Sequence, residues 1–259
     1  MRLFGILTCM VLVGSSGLSA EDLTCAAAGP QAPRDIENKV GTNAKTFPLA
    51  PPVTQMNLCN IHYHERAEHS GPGFHVKTSK GAGYLCNDTA ALEVAAKKAV
   101  AKSDEACDKL MSGSTIEVHW VYTSCPVKLQ KGKGLDACAN CANPTLRVEA
   151  QVFLVVNDPT AANFADFDYK PTAGTYLQVK SLPTGTGTPV VFHGSTTGGG
   201  YNDTTKCSPT PATWSVRPEC TKVNIRSLHR WCKSNVFGEH EGHDVRPRVI
   251  NPALLDSIP

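Results

Sequence analysis

The sequence predicts a single domain that is mainly β with a few helices, built on a large twisted β-sheet and held together by disulfides. Short runs rich in apolar and β-branched residues recur along the chain and are bounded by turn residues. Of the 11 cysteines, all but Cys9 follow the N-terminal segment, and this even set of ten indicates a disulfide framework. No low-complexity linker or internal repeat divides the chain, so one domain is preferred to two.

The N-terminal residues are typical of a secretory signal. Arg2 precedes the apolar run Leu3–Val13, and small residues follow at Ser19 and Ala20. We therefore expect residues 1–20 to be a signal peptide and the mature protein to be secreted or otherwise extracytoplasmic, in a periplasm, on a cell surface or in a secretory lumen. The apolar run is too short for a membrane span and no later run is long enough, so no membrane span is expected.

Two regions follow the predicted signal. Residues 21–52 are rich in proline, alanine and polar residues and lack sustained periodicity, which predicts an irregular N-terminal arm tied down by Cys25. Residues 53–259 contain the periodic segments and form the predicted folded domain. In an exported chain the ten cysteines are expected to form up to five disulfides, whose pairing the sequence leaves open. Cys138 and Cys141 form a CxxC motif without a second copy, so structural disulfides are favoured over redox chemistry or a zinc knuckle.

The charge balance excludes two classes of partner. A net charge of +2 and a sequence pI near 8.0 give no basic field of the kind that nucleic acid or an anionic membrane requires. Acceptor sequons for N-glycosylation begin at Asn87 and Asn202, whereas Pro144 excludes Asn143. A glycosylated surface is therefore expected, and the oligomeric state stays open.

Periodicity and turn residues define the elements in order. A helix is predicted from Asp88 or Thr89 to about Met111, because the stretch is rich in helix formers; Gly113 would end it. The predicted strands, followed by a second helix, are Met56–His64, Thr115–Thr123, Leu146–Val156, Tyr176–Leu182, Pro189–Phe192 and Thr213–Val216, with the helix at Ile225–Cys232.

The first of these strands carries two histidines. In a β-strand, side chains two residues apart point to the same face, so His62 and His64 project together. Asn60 precedes them on that face and is expected to orient a ligand ring. Ile61 and Tyr63 point the other way, and two histidines on one face of an apolar strand would be costly to bury without a partner.

The second strand supplies a third histidine. Glu117 and His119 share one face, while the apolar Ile116, Val118 and Trp120 take the other. A catalytic zinc has three protein ligands and an open position for water, and neutral imidazoles suit that metal. The sequence therefore predicts one Zn²⁺ site with His62, His64 and His119 as ligands and Glu117 behind His119; Co²⁺ or Cd²⁺ could occupy the same ligands.

A glycine-rich loop, Gly194–Asn202, follows later in the chain and is dense in hydroxyls. It lacks the Gly-Lys-Ser/Thr ending of a phosphate-binding Walker loop. The loop is interpreted either as an ordinary turn or as a segment that brings a hydroxyl and backbone N–H groups to the metal.

Five motifs taken together form a recognisable pattern. They are Asn60-Ile61-His62-Tyr63-His64 with Glu68-His69, Glu117-Val118-His119-Trp120-Val121, Gly194-Ser195-Thr196-Thr197-Gly198, Thr213-Trp214 and Arg246-Pro247. This pattern resembles the delta-class carbonic anhydrases and, more distantly, the active-site strands of the alpha class. The resemblance extends from Asn57 to Pro252. The long segment 71–113 between the two histidine strands favours the delta class.

The resemblance implies an alpha-carbonic-anhydrase-like fold and a secreted zinc enzyme. The reaction would be the reversible hydration of CO2 to bicarbonate and a proton through a zinc-bound hydroxide. It implies that Glu117 accepts a hydrogen bond from the ring of His119, and that Glu68 orients a gatekeeping hydroxyl. Thr197 is assigned as that hydroxyl, with Thr196 and Thr204 as alternatives.

The resemblance also implies surroundings for the metal. Val121 and Trp214 match positions that line an apolar CO2 pocket, and His69 is expected to hydrogen-bond within the site. No histidine lies upstream of His62 in the predicted mature chain, so a proton shuttle at the usual alpha-class place is absent. The remaining candidates for a proton relay, among which the sequence does not choose, are His75, His193, His229, His240 and His243.

Two alternatives remain open at this point. The spacing His62-x-His64-x3-Glu68 resembles the first half of a cupin metal motif, although no second half follows. A cupin-type metalloenzyme is therefore one alternative. The other is a non-catalytic secreted carbonic-anhydrase-like binding protein, which would be expected to have lost a metal ligand. None is lost here.

Overall fold

The computed structural model describes most of the chain: residues 25, 28–79, 82–92, 99, 101, 105–129, 134–170, 175–196 and 207–259. The predicted signal peptide, Thr197, Thr204 and the sequon at Asn202 lie outside the described residues. Within these ranges no helix has the length and apolar character needed to cross a bilayer.

Ten strands and one α-helix form in the described ranges. The strands are β1 (Asn57–His64), β2 (Val76–Lys77), β3 (Tyr84–Leu85), β4 (Thr115–Thr123), β5 (Leu146–Val156), β6 (Tyr169–Lys170), β7 (Gln178–Val179), β8 (Val190–Ser195), β9 (Pro211–Val216) and β10 (Thr221–Asn224). The α-helix spans Ile225–Ser234. Short 3₁₀ turns lie at Val53–Gln55, Asn87–Ala91, Gly134–Ala139, Phe164–Asp166 and Pro252–Leu254.

A six-stranded mixed sheet forms the centre of the molecule, with the order β1-β4-β5-β9-β8. β4 pairs antiparallel with both β1 and β5, whereas β9 runs parallel to β5 and antiparallel to β8. β10 pairs with the last part of β5, also in parallel. This architecture confirms the predicted fold class: a mainly β domain on one large sheet.

Residues alternate between two cores, one on each face of the sheet. Trp120 of β4 is fully buried on the face that packs against the α-helix, where Trp231 and Phe164 meet edge to face at 5.0 Å. Val121 of β4 and Trp214 of β9 belong to the core on the opposite face. Burying each such large apolar side chain contributes roughly 1.5–3 kcal/mol. Both faces are therefore covered, and a functional site must open through one of the cores.

A bulge changes the phase of β1 before its histidines. The register with β4 shifts between Leu58 and Asn60. Leu58 faces the core that contains the helix, whereas Cys59 belongs to the opposite core. Asn60 contacts His62 on that same opposite side. Two consecutive side chains thus point to one face, as a bulge allows.

Disulfides pair all ten cysteines that follow the predicted signal, which confirms the expectation of five bonds. They join Cys25 to Cys207, Cys59 to Cys138, Cys86 to Cys220, Cys107 to Cys232, and Cys125 to Cys141. Cys138 and Cys141 bond to different partners, so the CxxC motif has a structural role. The bond from Cys25 ties the N-terminal arm to the far side of the glycine-rich loop.

The first predicted helix differs in the structure. A 3₁₀ turn covers Asn87–Ala91 and ends at Leu92, whose backbone is extended, and residues 105–111 are not helical. Residues 93–98 lie outside the described residues. The backbone N–H groups of Ala106 and Cys107 donate to the His229 ring at 3.0 Å instead of forming a helical ladder. Local propensity is therefore overridden by the disulfide and the histidine that hold this segment.

The other predicted elements lie where the sequence places them, although the predicted strand Tyr176–Leu182 is reduced to β7 (Gln178–Val179). β4 and β5 have the predicted bounds, and the predicted helix at Ile225–Cys232 extends to Ser234. The side chain of Asn224 accepts a hydrogen bond from the backbone N–H of Arg226 and so caps the N-terminus of this helix. The two-residue strands β2, β3 and β6 were not predicted, and neither was β10, whose four residues include a single large apolar one, Val223.

Removing the Cys107–Cys232 bond tests how much the crosslinks stabilise the fold. Replacing both residues by serine is expected to lower the free energy of unfolding by about 2–4 kcal/mol, because the bond restricts a long stretch of unfolded chain. Urea denaturation of the oxidised protein measures this loss. The matched control replaces Cys125 and Cys141, which are 16 residues apart rather than 125. A larger loss in the control would contradict the loop-length explanation.

Candidate metal centre

Three histidine rings meet on one face of the sheet. His62 and His64 project from β1 with ring centroids 5.2 Å apart. His119 lies directly opposite His62 in the β1–β4 register, and cross-strand partners share a face. Its ring centroid is 5.1 Å from that of His62 and 4.7 Å from that of His64. The structure therefore brings the three predicted ligands together.

An oxygen atom fixes each of the two rings from β1. His62 Nδ1 donates to Asn60 Oδ1 at 2.5 Å, as the position of Asn60 two residues earlier predicted. His64 Nδ1 donates to the backbone carbonyl of Asp244 at 2.8 Å. Both rings thus keep Nε2 for a metal. Such hydrogen bonds set the tautomer and the orientation of a ligating histidine.

Glu117 fixes the third ring and is itself fully buried. His119 Nε2 donates to Glu117 Oε1 at 3.0 Å, which leaves Nδ1 of His119 for a metal. The same carboxylate accepts from the ring of His69 at 2.7 Å and from the backbone N–H groups of Glu68 and His69. Burial alone would raise the pKa of Glu117, but the nearby rings of His69 and His119 hold it well below its usual range.

Burial keeps two of the ligand rings neutral. It lowers the pKa of His62 well below its usual value, and the neighbouring rings of His119 and His64 lower it further. Burial likewise lowers the pKa of His64 to about 4, although the carboxylate of Glu68 opposes this. A neutral imidazole has a free lone pair, so these rings are ready to bind a metal near neutral pH.

Several compact sets of possible ligand atoms overlap at this centre. Each set has its ligand atoms within 4.8 Å of one another, and the sets are His62 with His64 and His243, His64 with Glu68 and His119, and His69 with Glu117 and His119. The first two sets share His64. A buried cluster of imidazoles and carboxylates of this kind matches the ligand preferences of Zn²⁺.

Glu68 forms a buried ion pair beside the ligands. Its carboxylate accepts from Nε and Nη2 of Arg246, both at 3.3 Å, and from the backbone N–H of Arg246 at 3.1 Å. Burial opposes ionisation, yet the Arg246 charge, with His64 next in importance, lowers the pKa of Glu68 to about 2. The site therefore contains two ionised carboxylates, those of Glu68 and Glu117.

A small cavity opens onto the rings. Its volume is about 40 Å³, enough for a few water molecules or a small ligand. One wall is apolar and includes Val121, Val148 and Trp214. The lining residues on the polar side are His62, His64, Glu68, His119, Thr196, His243 and Arg246. The cavity thus combines a floor of histidine rings and a carboxylate with an apolar wall.

Of the three threonines considered as the gatekeeping hydroxyl, the structure describes Thr196, which lines this cavity. It is buried at the end of β8, and its backbone carbonyl accepts from the Ser208 hydroxyl at 2.5 Å. Gln31 of the N-terminal arm holds the same region, because its side-chain oxygen accepts from Ser195 Oγ and from the Ser208 N–H. Thr197 lies outside the described residues.

The five histidines considered as proton relays lie in different surroundings. His75 is exposed near Asn87, His193 bonds to Asp256, and the buried His229 accepts from two backbone N–H groups. His240 is exposed and bonds to the carbonyl of Gly238. His243 alone of the five lines the cavity.

Three features of the site were not predicted from the sequence. They are Val148 in the cavity wall, the bond from the His64 ring to the Asp244 carbonyl, and the position of His243 beside His62. Val148 is one of several apolar residues in β5, and only its pairing with Val121 in the sheet shows that it faces the cavity. A backbone carbonyl has no sequence signal at all. His243 lies 179 positions beyond His64 along the chain, and no strand or helix period connects the two.

Comparison with known proteins identifies the family. A family model described as delta carbonic anhydrase matches residues 53–227. The chain belongs to the delta carbonic anhydrase family. Membership makes this delta carbonic anhydrase an enzyme of CO2 hydration, with a small-molecule substrate and a metal ion. It favours this reading over the cupin-type and the non-catalytic alternatives, and the clustered histidines fit a family that uses a metal.

Solved structures similar to this delta carbonic anhydrase include alpha-class enzymes. The alpha-carbonic anhydrase of Photobacterium profundum is 16% identical, with 87% of this chain and 88% of that chain covered, at a TM-score of 0.32. A hyperthermostable carbonic anhydrase from a hydrothermal vent chimney is 15% identical over 89% of each chain, at 0.33. The alpha-carbonic anhydrase of Thermovibrio ammonificans, in complex with sulfanilamide, is 14% identical over 87% and 88%, at 0.30.

These structural scores are low, so the assignment of this chain to its family comes from the family model. No curated protein matches the sequence.

Glu117→Gln tests the carboxylate behind His119. The amide keeps the shape of the side chain but offers one acceptor oxygen instead of two to the four donors around it. We expect metal affinity to fall by about 10 to 100-fold, the usual effect of losing such a partner. Chelator competition measures the affinity, and the circular dichroism spectrum should be unchanged. Unchanged affinity would remove Glu117 from this role.

Arg246→Met tests the buried ion pair in metal-free protein. At pH 7 the substitution is expected to lower the free energy of unfolding by about 3 kcal/mol, because the Glu68 carboxylate loses its cation. The folded pKa of Glu68 is about 2, below its usual 4.5. The pair therefore contributes stability above pH 4.5 that is lost as the pH falls towards 2.

The difference in free energy of unfolding between the wild-type protein and Arg246→Met should accordingly shrink as the pH falls from 4.5 towards 2. Arg248→Met is the matched control, since its partner Asp35 is one-third exposed. An equal loss from both substitutions, or no dependence on pH, would contradict the assignment.

Proposed function

We propose that this carbonic anhydrase is a secreted zinc enzyme in which His62, His64 and His119 hold the metal. The observation that carries the proposal is the set of three buried rings, each fixed by an oxygen, that open onto a cavity with an apolar wall. These residues would hold Zn²⁺, which would lower the pKa of a water molecule from 15.7 to about 7 and so would supply a nucleophile at neutral pH. Co²⁺ and Cd²⁺ are possible substitutes.

The outer groups maintain the ligand geometry. Asn60, the Asp244 carbonyl and Glu117 each receive one ring N–H, so the lone pair of each ring stays directed away from that oxygen. His69 supports Glu117 from the other side at 2.7 Å. Because all three rings are neutral ligands in this proposal, the metal keeps its full charge for acting on water.

The apolar wall receives CO2. Val121, Val148 and Trp214 are each at most 1% exposed and offer no hydrogen-bonding group to the cavity, apart from the Trp214 ring N–H, which donates to the Ser195 carbonyl. A linear apolar molecule is therefore accommodated beside the metal without competing for the ligands. The wall also limits the number of water molecules at the site.

Glu68 and a loop hydroxyl complete the proposed machinery. Thr197 is the proposed gatekeeper, oriented by Glu68, with Thr196 and Thr204 as alternatives. Of these three, the structure describes Thr196, which lines the cavity together with Glu68. The Arg246 ion pair keeps Glu68 ionised, and an ionised carboxylate accepts a hydrogen bond and so directs the hydroxyl proton away from the metal.

Export and domain organisation belong to the same proposal. Five disulfides, one of which reaches the N-terminal arm, are typical of a protein from an oxidising compartment. We propose that residues 1–20 are a signal peptide, that residues 21–52 form the arm and that residues 53–259 form the catalytic domain. Glycosylation at Asn87 and Asn202 is proposed where the host provides it.

Stopped-flow CO2 hydration tests the activity and its metal dependence. The purified, oxidised protein should accelerate hydration well above buffer, lose the activity on chelation and regain it when Zn²⁺ is restored. His119→Ala removes the cross-strand ligand and should abolish zinc retention at stoichiometric metal. His75→Ala, at an exposed site, is the control and should retain both metal and activity. Full zinc occupancy in His119→Ala would overturn the ligand assignment.

A further inference from the structure

The C-terminal segment adds a fourth histidine to the metal centre. The backbone N–H of His243 donates to the Tyr63 carbonyl at 2.8 Å, and the His243 carbonyl accepts from the Glu65 N–H at 3.0 Å. These bonds form a parallel bridge between His64 and His243. The segment therefore continues the sheet beside the end of β1, and its backbone position is fixed by two hydrogen bonds.

The ring of His243 lies among the ligands. It stacks on the His62 ring with centroids 4.8 Å apart and planes 24° apart, and its centroid is 5.6 Å from that of His64. The possible ligand atoms of His62, His64 and His243 all lie within 4.8 Å of one another. The side chain of His243 is 40% exposed, so it lies at the mouth of the cavity rather than inside it.

His243 has the outer partner expected of a metal ligand. Its Nε2 donates to Glu239 Oε2 at 2.9 Å, which leaves Nδ1 free for a metal. The other oxygen of Glu239 accepts from the side-chain amide of Asn60 at 3.4 Å, and that residue also holds His62. Ligating histidines almost always have an oxygen on the second ring nitrogen. His62, His64, His119 and His243 all satisfy this condition.

The carboxylate behind His243 is built into the fold. Asn235, which ends the α-helix, accepts from the Glu239 N–H at 3.0 Å and donates to the Glu239 carbonyl at 2.6 Å. It also donates to the Trp231 carbonyl at 3.0 Å. The helix end therefore sets the position of Glu239, and Glu239 sets the ring of His243.

We propose that His243 is a fourth, exchangeable ligand of the metal, which it binds together with His62 and His64. This inference rests on the proposed function, because it places His243 at the position that a catalytic zinc leaves open for water. The exposed ring can leave that position by a side-chain rotation, since its backbone bonds do not depend on the ring. With His243 bound, the site is closed and holds its metal more tightly; with His243 released, it is open.

Nuclear magnetic resonance tests the ligand count directly. Long-range ¹H–¹⁵N spectra of the ¹⁵N-labelled, zinc-loaded protein distinguish metal-bound ring nitrogens from free ones. We expect four metal-bound imidazoles in the wild-type protein and three in His243→Gln. His240→Gln is the matched control, because His240 lies in the same segment but is exposed, and its ring bonds to the nearby Gly238 carbonyl. It should keep four.

Metal affinity gives a second readout. Zinc affinity from chelator competition should fall by about tenfold or more in His243→Gln and stay unchanged in His240→Gln. Glu239→Gln keeps the His243 ring but weakens its support, so its affinity should fall by about tenfold, the lower end of the usual effect. If His243→Gln folds poorly, Glu239→Gln tests the proposal in its place.

Three metal-bound imidazoles in the wild-type protein, with equal zinc affinity in His243→Gln, would overturn the proposal. If His119→Ala loses zinc in that case, the three-histidine site of the proposed function still stands. If His243→Gln loses zinc whereas His119→Ala retains it, the ligands are His62, His64 and His243, and both the exchangeable role and the earlier assignment fail.

Discussion

The antiparallel pairing of β1 with β4 is the constraint on which the site depends. It sets His62 directly opposite His119, and the strand period adds His64 on the same face. A slip of one residue would move the histidines of one strand into the opposite core. The apolar residues between the histidines prevent such a slip, because Ile61, Tyr63 and Trp120 must stay in the core that the helix covers. Core packing and ligand placement are therefore a single requirement.

Charge around this pairing is arranged in layers. The histidine rings lie innermost, and the carboxylates of Glu117 and Glu68 lie behind them, each with several donors. A buried carboxylate without donors would take up a proton. Here Arg246 holds the pKa of Glu68 low, and the rings of His69 and His119 do the same for Glu117, so both carboxylates stay ionised beside the cavity. The C-terminal segment supplies Arg246, the Asp244 carbonyl and His243 to this arrangement.

Much of the fold was predictable from local pattern. β4 and β5 are long and buried, so their apolar runs mark their bounds, and the alternation in β1 places His62, His64 and Asn60. The helix predicted up to Met111 does not form at residues 105–111, because a disulfide at Cys107 and the ring of His229 act across the fold. His243 reaches the site through backbone bonds between distant segments, which no period encodes. The side chains that share a face of one strand could be predicted from the sequence, whereas contacts between remote loops could not.

The bulge in β1 separates two tasks within one strand. Leu58 packs in the helix-covered core, whereas Cys59 and Asn60 both face the opposite core, where His62 lies, so the phase of the strand changes at Cys59. Because Cys59 faces the ligand side and is bonded to Cys138, the crosslink holds the strand at the point where its phase changes. The disulfide and the bulge therefore lie at the same residue of β1. For protein engineering, a substitution at Cys59 would change the crosslink and the strand register together.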